Sequence, residues 1–321
     1  MNKQAAAGHL CMFGANSAFG LLSPVAKIVM MGGIITPFIM TELRITGAMI
    51  LFWLASFVVK HEHVPHQDLY KFFFASLFAI TLNQGTFIFG VGLTTPGDAS
   101  ILTTSMPMWA MVLAAIILKD PITGRKVLGI AAGAGGALML ILSSESFKGA
   151  DPRVQGSILG DVLVTGAQLS FAFYVVRFKD LVSRYSLITV MKWMFTFAFI
   201  TTMPFVAGDL ARVPWAELEF SAIGGIAYVV VVATFLAYIF LVVGQRHLKP
   251  TVVGMYNYVQ PIVACLTAVY LGLDHFTLLK GAAVLLIFAG VYMVTHSRSR
   301  EEIEAYHARQ AAVAAAKKGG A

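Results

Sequence analysis

The sequence is short of charge. Only 12% of its 321 residues are Asp, Glu, Lys or Arg, about half of the ~25% with which a soluble domain keeps its surface wet. Apolar residues take up the difference. They make up 58% of the chain, or about 64% when Gly is counted in place of Tyr, where soluble domains hold roughly 45–50%. Mean hydropathy is +0.78. Too little polar surface exists to cover soluble domains, so much of the chain must face hydrocarbon. The same shortage excludes a disordered chain, a collagen repeat and a nucleic-acid-binding domain.

Cysteine is equally scarce. Cys11 and Cys265 both lie in apolar runs and make neither a disulfide framework nor a zinc site. There is no G-x-x-x-x-G-K-[ST] loop, so ATP cannot be the direct energy source. His61, His63 and His66 form H-x-H-x-x-H, but no Cys or firm carboxylate set accompanies them, and they read as a solvated loop. The residues therefore offer no catalytic cluster, no metal site and no cofactor motif.

What is present is a series of apolar runs of roughly 20 residues, each enough to cross ~30 Å of hydrocarbon. Ten are expected, at 9–31, 36–59, 69–93, 97–118, 125–143, 156–178, 187–206, 219–244, 250–272 and 277–296. The apolar part of the first is too long for a signal-peptide core and reads as an uncleaved helix. With the N-terminus inside, sixteen Lys and Arg fall in cytoplasmic segments and only four (Lys148, Arg153, Arg212 and Lys280) on the other side. Lys27, Arg44 and Lys192 lie within spans, which accounts for all 23. This bias places both termini in the cytoplasm. The net charge of +7 thus describes orientation and not a nucleic-acid partner. The tail, 297–321, is basic and alanine-rich, suited to anionic headgroups.

The chain repeats itself. Residues 96–139 align without gaps onto 250–293. The identities include Pro96/Pro250, Pro107/Pro261, Asp120/Asp274, Thr123/Thr277, Lys126/Lys280 and Gly136/Gly290. The first span aligns with the sixth through Gly8/Gly160, Gly14/Gly166, Phe19/Phe171 and Lys27/Lys179. The expected architecture is all-α and integral to the membrane, with ten transmembrane helices as two inverted five-helix repeats at 9–143 and 156–296. Five is odd, so the second repeat enters the membrane upside down. Inverted repeats are a transporter signature, because two such halves can exchange conformations.

At this point the chain resembles a known family, the EamA branch of the drug/metabolite transporter superfamily. Each half carries a Pro in its fourth helix, an acidic residue after it, and a Gly-rich fifth helix: Pro107…Asp120-Pro121-Ile122-Thr123…Gly129…Gly136, and Pro261…Asp274-His275-Phe276-Thr277…Gly290. Arg44 matches a common Arg of the family's first half. The chain departs from the pattern in having Asp at 120 and 274 where Glu is usual. The resemblance covers 9–296. It implies a secondary transporter, not an enzyme, that moves a small metabolite such as an amino acid or related solute by alternating access. Members of that family export or import such solutes; the expectation here is an exporter, multi-pass in the cell (inner) membrane. Two alternatives stay open: a membrane-embedded enzyme acting on a lipid carrier, and a passive channel.

Polar side chains inside spans are the candidate solute ligands, because each is costly there unless a neighbour or a wet cavity satisfies it. Glu42 and Arg44 are two residues apart and point to different sides of their helix. Pairing Glu42 with Lys192 fails on depth, since the two are separated by ~12 Å along the membrane normal. Lys192 is therefore expected to snorkel to the cytoplasmic interface. Glu42 is the candidate for proton coupling. Asn257 and Gln260 share a face, and Pro261 frees a carbonyl about one turn earlier. Their repeat mates are Thr103 and Met106. Asn16 aligns with Gln168, and both are amides in apolar surroundings. Asn83 and Gln84 are adjacent, so only one can face inward. Tyr174 is a weaker candidate. Asp98 and Asp161 read as helix N-terminal charges, and Gly129, Gly133 and Gly136 as close-packing positions.

Overall fold

A computed structural model describes residues 3–119, 124–144, 157–248, 253, 256, 257 and 259–295. The region before Pro261 and the basic tail (297–321) therefore lie largely outside the described residues, as do Asp120 to Thr123. Among the described residues every regular element is helical. The principal helices are α1 (Lys3–Met31), α2 (Pro37–Ser56), α3 (His66–Leu93), α4 (Pro96–Ile117), α5 (Gly124–Ser144) and α6 (Ile158–Arg177). They continue with α7 (Leu187–Ala211), α8 (Phe220–His247), α9 (Val259–Tyr270) and α10 (Leu278–Thr295).

Seven of these, α1 to α4 and α6 to α8, are long and apolar enough to cross a membrane, and α9 and α10 contribute shorter apolar stretches. The chain is a multi-pass membrane protein. Large apolar side chains such as Phe205, Phe220 and Leu278 are almost fully exposed. Hydrocarbon, not water, is the solvent that suits them.

Local chemistry sets the helix boundaries. Thr36 caps α2 by accepting a hydrogen bond from the Ile39 N–H (3.3 Å), and Pro37 fills the first helical position. Thr95 and Pro96 repeat this device at α4, with Asp98 N–H as donor (3.2 Å). Both follow the preference for a hydroxyl cap and an N1 proline. Gly272 ends α9 in the left-handed region (φ 68°). The Leu273 N–H then reaches back to the Ala268 carbonyl (2.8 Å), a Schellman closure.

Three helices are irregular at depth. α3 carries a π-helical stretch at Leu77–Leu82 and α8 another at Tyr228–Leu236. α4 breaks at Thr104 and Ser105, ahead of Pro107, because proline cannot donate to the preceding turn. The carbonyls freed by the π-turns find partners. Ser170 on α6 donates to Phe78 O (2.7 Å), and Thr234 donates to Val229 O (2.8 Å).

α5 packs along α10, α2 along α7, α4 along α9, α1 along α8 and α9, α6 along α3 and α4, and α3 and α8 along α7 and α2 respectively. Two apolar clusters lie inside. One contains Leu22, Ile35, Met40, Ile88, Leu102 and Leu140. The other is aromatic, with Phe52 stacked on Phe195 at 5.7 Å and Phe72 beside Tyr185. At the α5–α10 contact, Gly290 lies against the backbone of Gly129 and Gly133.

Candidate functional site

The expected polar residues fall into two groups by how far the fold satisfies them. Glu42 is 1% exposed and accepts from Thr46 (3.1 Å) and from Thr202 of α7 (2.6 Å). Arg44, 4% exposed, turns to α8 and donates from Nε to Thr234 (2.8 Å). Two neighbours in sequence thus tie α2 to two different helices, as their spacing requires. Thr234 in turn donates to Val229 O inside the π-turn, so Arg44 sits at the head of a short polar chain.

Asn16 donates to Met12 O of its own helix (2.9 Å), Asn83 to Ala167 O of α6 (2.8 Å) and Thr103 to Ser100 O (2.6 Å). Gln168 is buried. Tyr174 is buried too, with its ring near those of Phe171 (5.6 Å) and Phe178 (6.4 Å). Asn257 is exposed at a turn and Gln260 half-buried. The backbone of Gln260 touches α1, where a Cβ on Gly20 would stand 2.6 Å from its carbonyl oxygen. Among the described residues no hydrogen bond joins any two of them.

Gln84 is the exception. It is 2% exposed, and neither its amide oxygen nor its amide nitrogen has a hydrogen-bond partner among the described residues. Ser17 on α1, and Ser100, Ser105 and Trp109 on α4, also hold buried polar atoms without partners. A buried unpaired polar group costs about 1–3 kcal/mol. Such groups cluster where a solute or water completes the bonding.

Lys192 departs from expectation. It is 5% exposed, and its ammonium lies 4.8 Å from the Trp53 ring and 5.9 Å from that of Trp193. A pair of aromatic faces holds a cation well once water is displaced, which is why the side chain stays buried. Glu62, in the loop after α2, is close enough to feel its charge. Burial pushes the Glu62 carboxyl up, but hydrogen bonds from Thr189 and Ser186, with Lys192 beyond them, bring it below the ordinary glutamate value.

Sequence reasoning missed a second polar region, where α3 ends and α4, α6 and α10 begin. Lys27 donates to the Gly92 and Thr94 carbonyls (2.7 and 3.1 Å), a cation on the C-terminal carbonyls of α3. Thr94 donates to Asp161 (2.6 Å) and Thr95 to Asp274 (3.1 Å). Lys280 bridges Asp98 (2.9 Å) and Asp274 (2.6 Å). Asp98 and Asp161 are therefore not simple helix-start charges. A usable signal existed in the topology, which brings Lys27, Asp98, Asp161, Asp274 and Lys280 to one end of the bundle.

With this geometry in hand, comparison with known proteins decides the family. The sequence pattern of the EamA-like transporter family matches twice, over residues 6–142 and 158–296. The chain belongs to the EamA-like transporter family. It is similar to an uncharacterized transporter of Archaeoglobus fulgidus, with 24% identity over 82% of this chain and 90% of that one. It is also similar to Protein WALLS ARE THIN 1 of Arabidopsis thaliana, with 26% identity over 80% of this chain and 74% of that one. A crystal structure of a protein 15% identical aligns with a TM-score of 0.60, over 90% of this chain and 96% of that one, which speaks for the fold alone. The family and the archaeal relative carry the name transporter.

Proposed function

We propose that this protein is a secondary transporter that moves a small metabolite, such as an amino acid or related solute, by alternating access. In this reading ten helices, α1 to α10, span the cell (inner) membrane as two inverted five-helix repeats, with both termini cytoplasmic. The packing supports the pairing. Exchanging each helix for the one five places along turns α3–α6 into α8–α1, α4–α6 into α9–α1 and α3–α7 into α8–α2, and all six contacts exist. The α2–α7, α4–α9 and α5–α10 contacts map onto themselves. The π-helical stretches fall in α3 and α8, the third helix of each half, and π-turns recur at functional sites.

Gln84 carries the site assignment. A buried amide with both atoms unpaired is a standing cost in a lipid-embedded bundle, and a polar solute or its water relieves it. Asn16, Arg44, Gln168, Tyr174, Thr103, Asn83, Asn257 and Gln260 are proposed to shape the same path, the last three from helix breaks and helix contacts. No ATP loop exists, so net flux follows gradients, and a metabolite made inside the cell leaves it. Glu42, whose partners among the described residues are the hydroxyls of Thr46 and Thr202, is proposed to carry the coupling proton.

Counterflow in proteoliposomes tests the reading. Saturable exchange of an internal for an external solute is expected. Fast flux that never saturates would mean a channel and would refute the carrier. Gln84→Leu is expected to abolish exchange while leaving the protein as stable as wild type or more so, since the orphan amide is gone. Glu42→Gln should remove the dependence on a pH gradient, and full dependence in that variant would rule out Glu42 as the coupling site.

A further inference from the structure

The Lys280 cluster has the build of a gate. Asp98 belongs to α4, in the first half of the chain, whereas Asp274 and Lys280 flank the α9–α10 connection in the second. Lys280 joins them with two ion pairs, at 2.9 and 2.6 Å, and Asp98 is 1% exposed. The fold is cut to fit. Gly272 turns the chain with φ 68°, and Asp274 then lies so near Gly97 that a Cβ there would overlap its Oδ2. Thr95 donates to that same oxygen. Thr277 accepts from the Lys280 N–H (3.2 Å) and so fixes the start of α10.

Burying three charges is a poor way to gain stability, because their desolvation cancels most of the attraction, and apolar residues of the same size often do better. The arrangement suits a contact that must form and break. On opening, water repays the ions what the pairing gave, so the two states stay near balance. The Asp98 Oδ2 atom has no hydrogen-bond partner among the described residues. The other half of the chain repeats the Asp-to-Lys spacing as Asp120 and Lys126, and Lys126 is also buried, 6% exposed. The position aligned with Asp98 is Val252.

We propose that Lys280 is a latch across the outer mouth of the transport path. Its pair with Asp98, together with the Thr95–Asp274 hydrogen bond, holds the two halves together on that side and must separate before the path opens outward; the Lys280–Asp274 pair positions the ammonium within the second half. Lys280 is then a positioning residue of the transport cycle. The proposal rests on the alternating-access reading and on the orientation given by the Lys and Arg bias.

Cys265 is a native reporter. Its Sγ lies 3.9 Å from the Gly97 carbonyl oxygen, directly under the latch. In full-length Cys11→Ser protein it is the only thiol. Its modification by a membrane-impermeant thiol reagent is followed in right-side-out and inside-out vesicles. Asp98→Asn and Lys280→Met should each speed modification from the outer side by about tenfold, as expected when a conformational balance loses its latch. The rate from the cytoplasmic side should not rise, and Lys280→Arg should restore the slow outer rate. An unchanged outer rate in well-folded variants overturns the proposal. So does an equal rise from both sides, which would mark a merely loosened bundle, or a rise from the cytoplasmic side alone. Should Lys280→Met fail to fold with two carboxylates left unpaired, Asp98→Asn, which removes a charge and keeps the shape, decides the matter. The readout needs no substrate. Absence of counterflow would sink the carrier reading without touching this result, and an unchanged outer rate would sink the latch without touching counterflow.

Discussion

Substituting alanine at a glycine inside the α5–α10 contact and at one outside it should give opposite effects. A Cβ on Gly290 would lie 2.6 Å from the Gly129 carbonyl oxygen, 2.6 Å from the Gly133 nitrogen and 2.8 Å from the Gly133 Cα. All three atoms are backbone, so no side chain can swing away, and the helices must separate by a substantial part of an ångström. Overpacking of this kind costs about 1–3 kcal/mol. The ordinary gain on replacing a helical glycine by alanine is about 0.8–1 kcal/mol, so Gly290→Ala should be destabilising by up to about 2 kcal/mol. Gly135, two residues beyond Gly133 on another side of α5, is exposed, and a Cβ there would meet nothing within 4 Å. Gly135→Ala keeps the propensity gain alone and should be stabilising by about 0.5–1 kcal/mol. Thermal unfolding of the detergent-purified variants reads both signs. A Tm for Gly290→Ala at or above wild type, or an equal fall for Gly135→Ala, would refute the close-packing account of this helix pair.

Two further substitutions test the polar contacts. Thr94→Val removes the hydroxyl that donates to Asp161 at 2.6 Å in a buried setting. It should destabilise by about 1–3 kcal/mol, more than the same change at the half-buried Thr86, whose hydroxyl bond to Leu82 O is exposed, and melting of the two variants side by side checks the difference. Glu62, depressed below the glutamate value of 4.5 by Thr189, Ser186 and Lys192 against the opposing effect of its burial, contributes stability that is present above pH 4.5 and is lost as pH falls through its own lower value. Tm of the wild type should therefore fall more steeply on acidification below pH 4.5 than that of Glu62→Gln, and parallel curves would exclude the linkage.

The helices were legible because hydrocarbon imposes a simple rule. A backbone in lipid must satisfy its own hydrogen bonds, so every apolar run of sufficient length becomes a helix. Pro37 and Pro96 then mark starts and Gly272 an end, all within a few residues of the expected spans. The divergence of Glu42 and Arg44 was legible as well, because an i, i+2 spacing fixes directions on a helix whatever surrounds it. The π-helical stretches were not. Leu77–Leu82 and Tyr228–Leu236 are composed of ordinary apolar residues with one threonine each, and nothing local distinguishes a wide turn from a regular one. The burial of Lys192 was missed for a related reason. Snorkelling follows from the length of one side chain, whereas the cation–aromatic seat needs Trp53, which arrives from another helix.

The polar cluster at the far end of the bundle was illegible for a stronger reason. Its bonds join residues on different helices and far apart in sequence: Thr94 to Asp161, Thr95 to Asp274, Lys280 to Asp98. Taken singly, each is an acid or a base at a span end, which the aqueous interface explains without further help. Only the order of the helices brings them together, and that order was available from the repeat. The repeat also shows why the two ends of the bundle differ. Identical positions such as Pro107/Pro261 and Gly136/Gly290 set backbone breaks and close approaches, which are properties of the scaffold. Gln84 aligns with Leu236, Asp98 with Val252 and Glu42 with Met194 at the repeat offsets of 152 and 154. The scaffold is thus duplicated, and the chemistry only in part: the Asp-to-Lys spacing recurs, whereas Gln84, Asp98 and Glu42 do not. A carrier with chemically identical halves would present the same site and the same seal to both sides of the membrane. Unequal polar residues on equal halves let one side hold more tightly than the other, which is what a membrane with different solutions on its two faces demands.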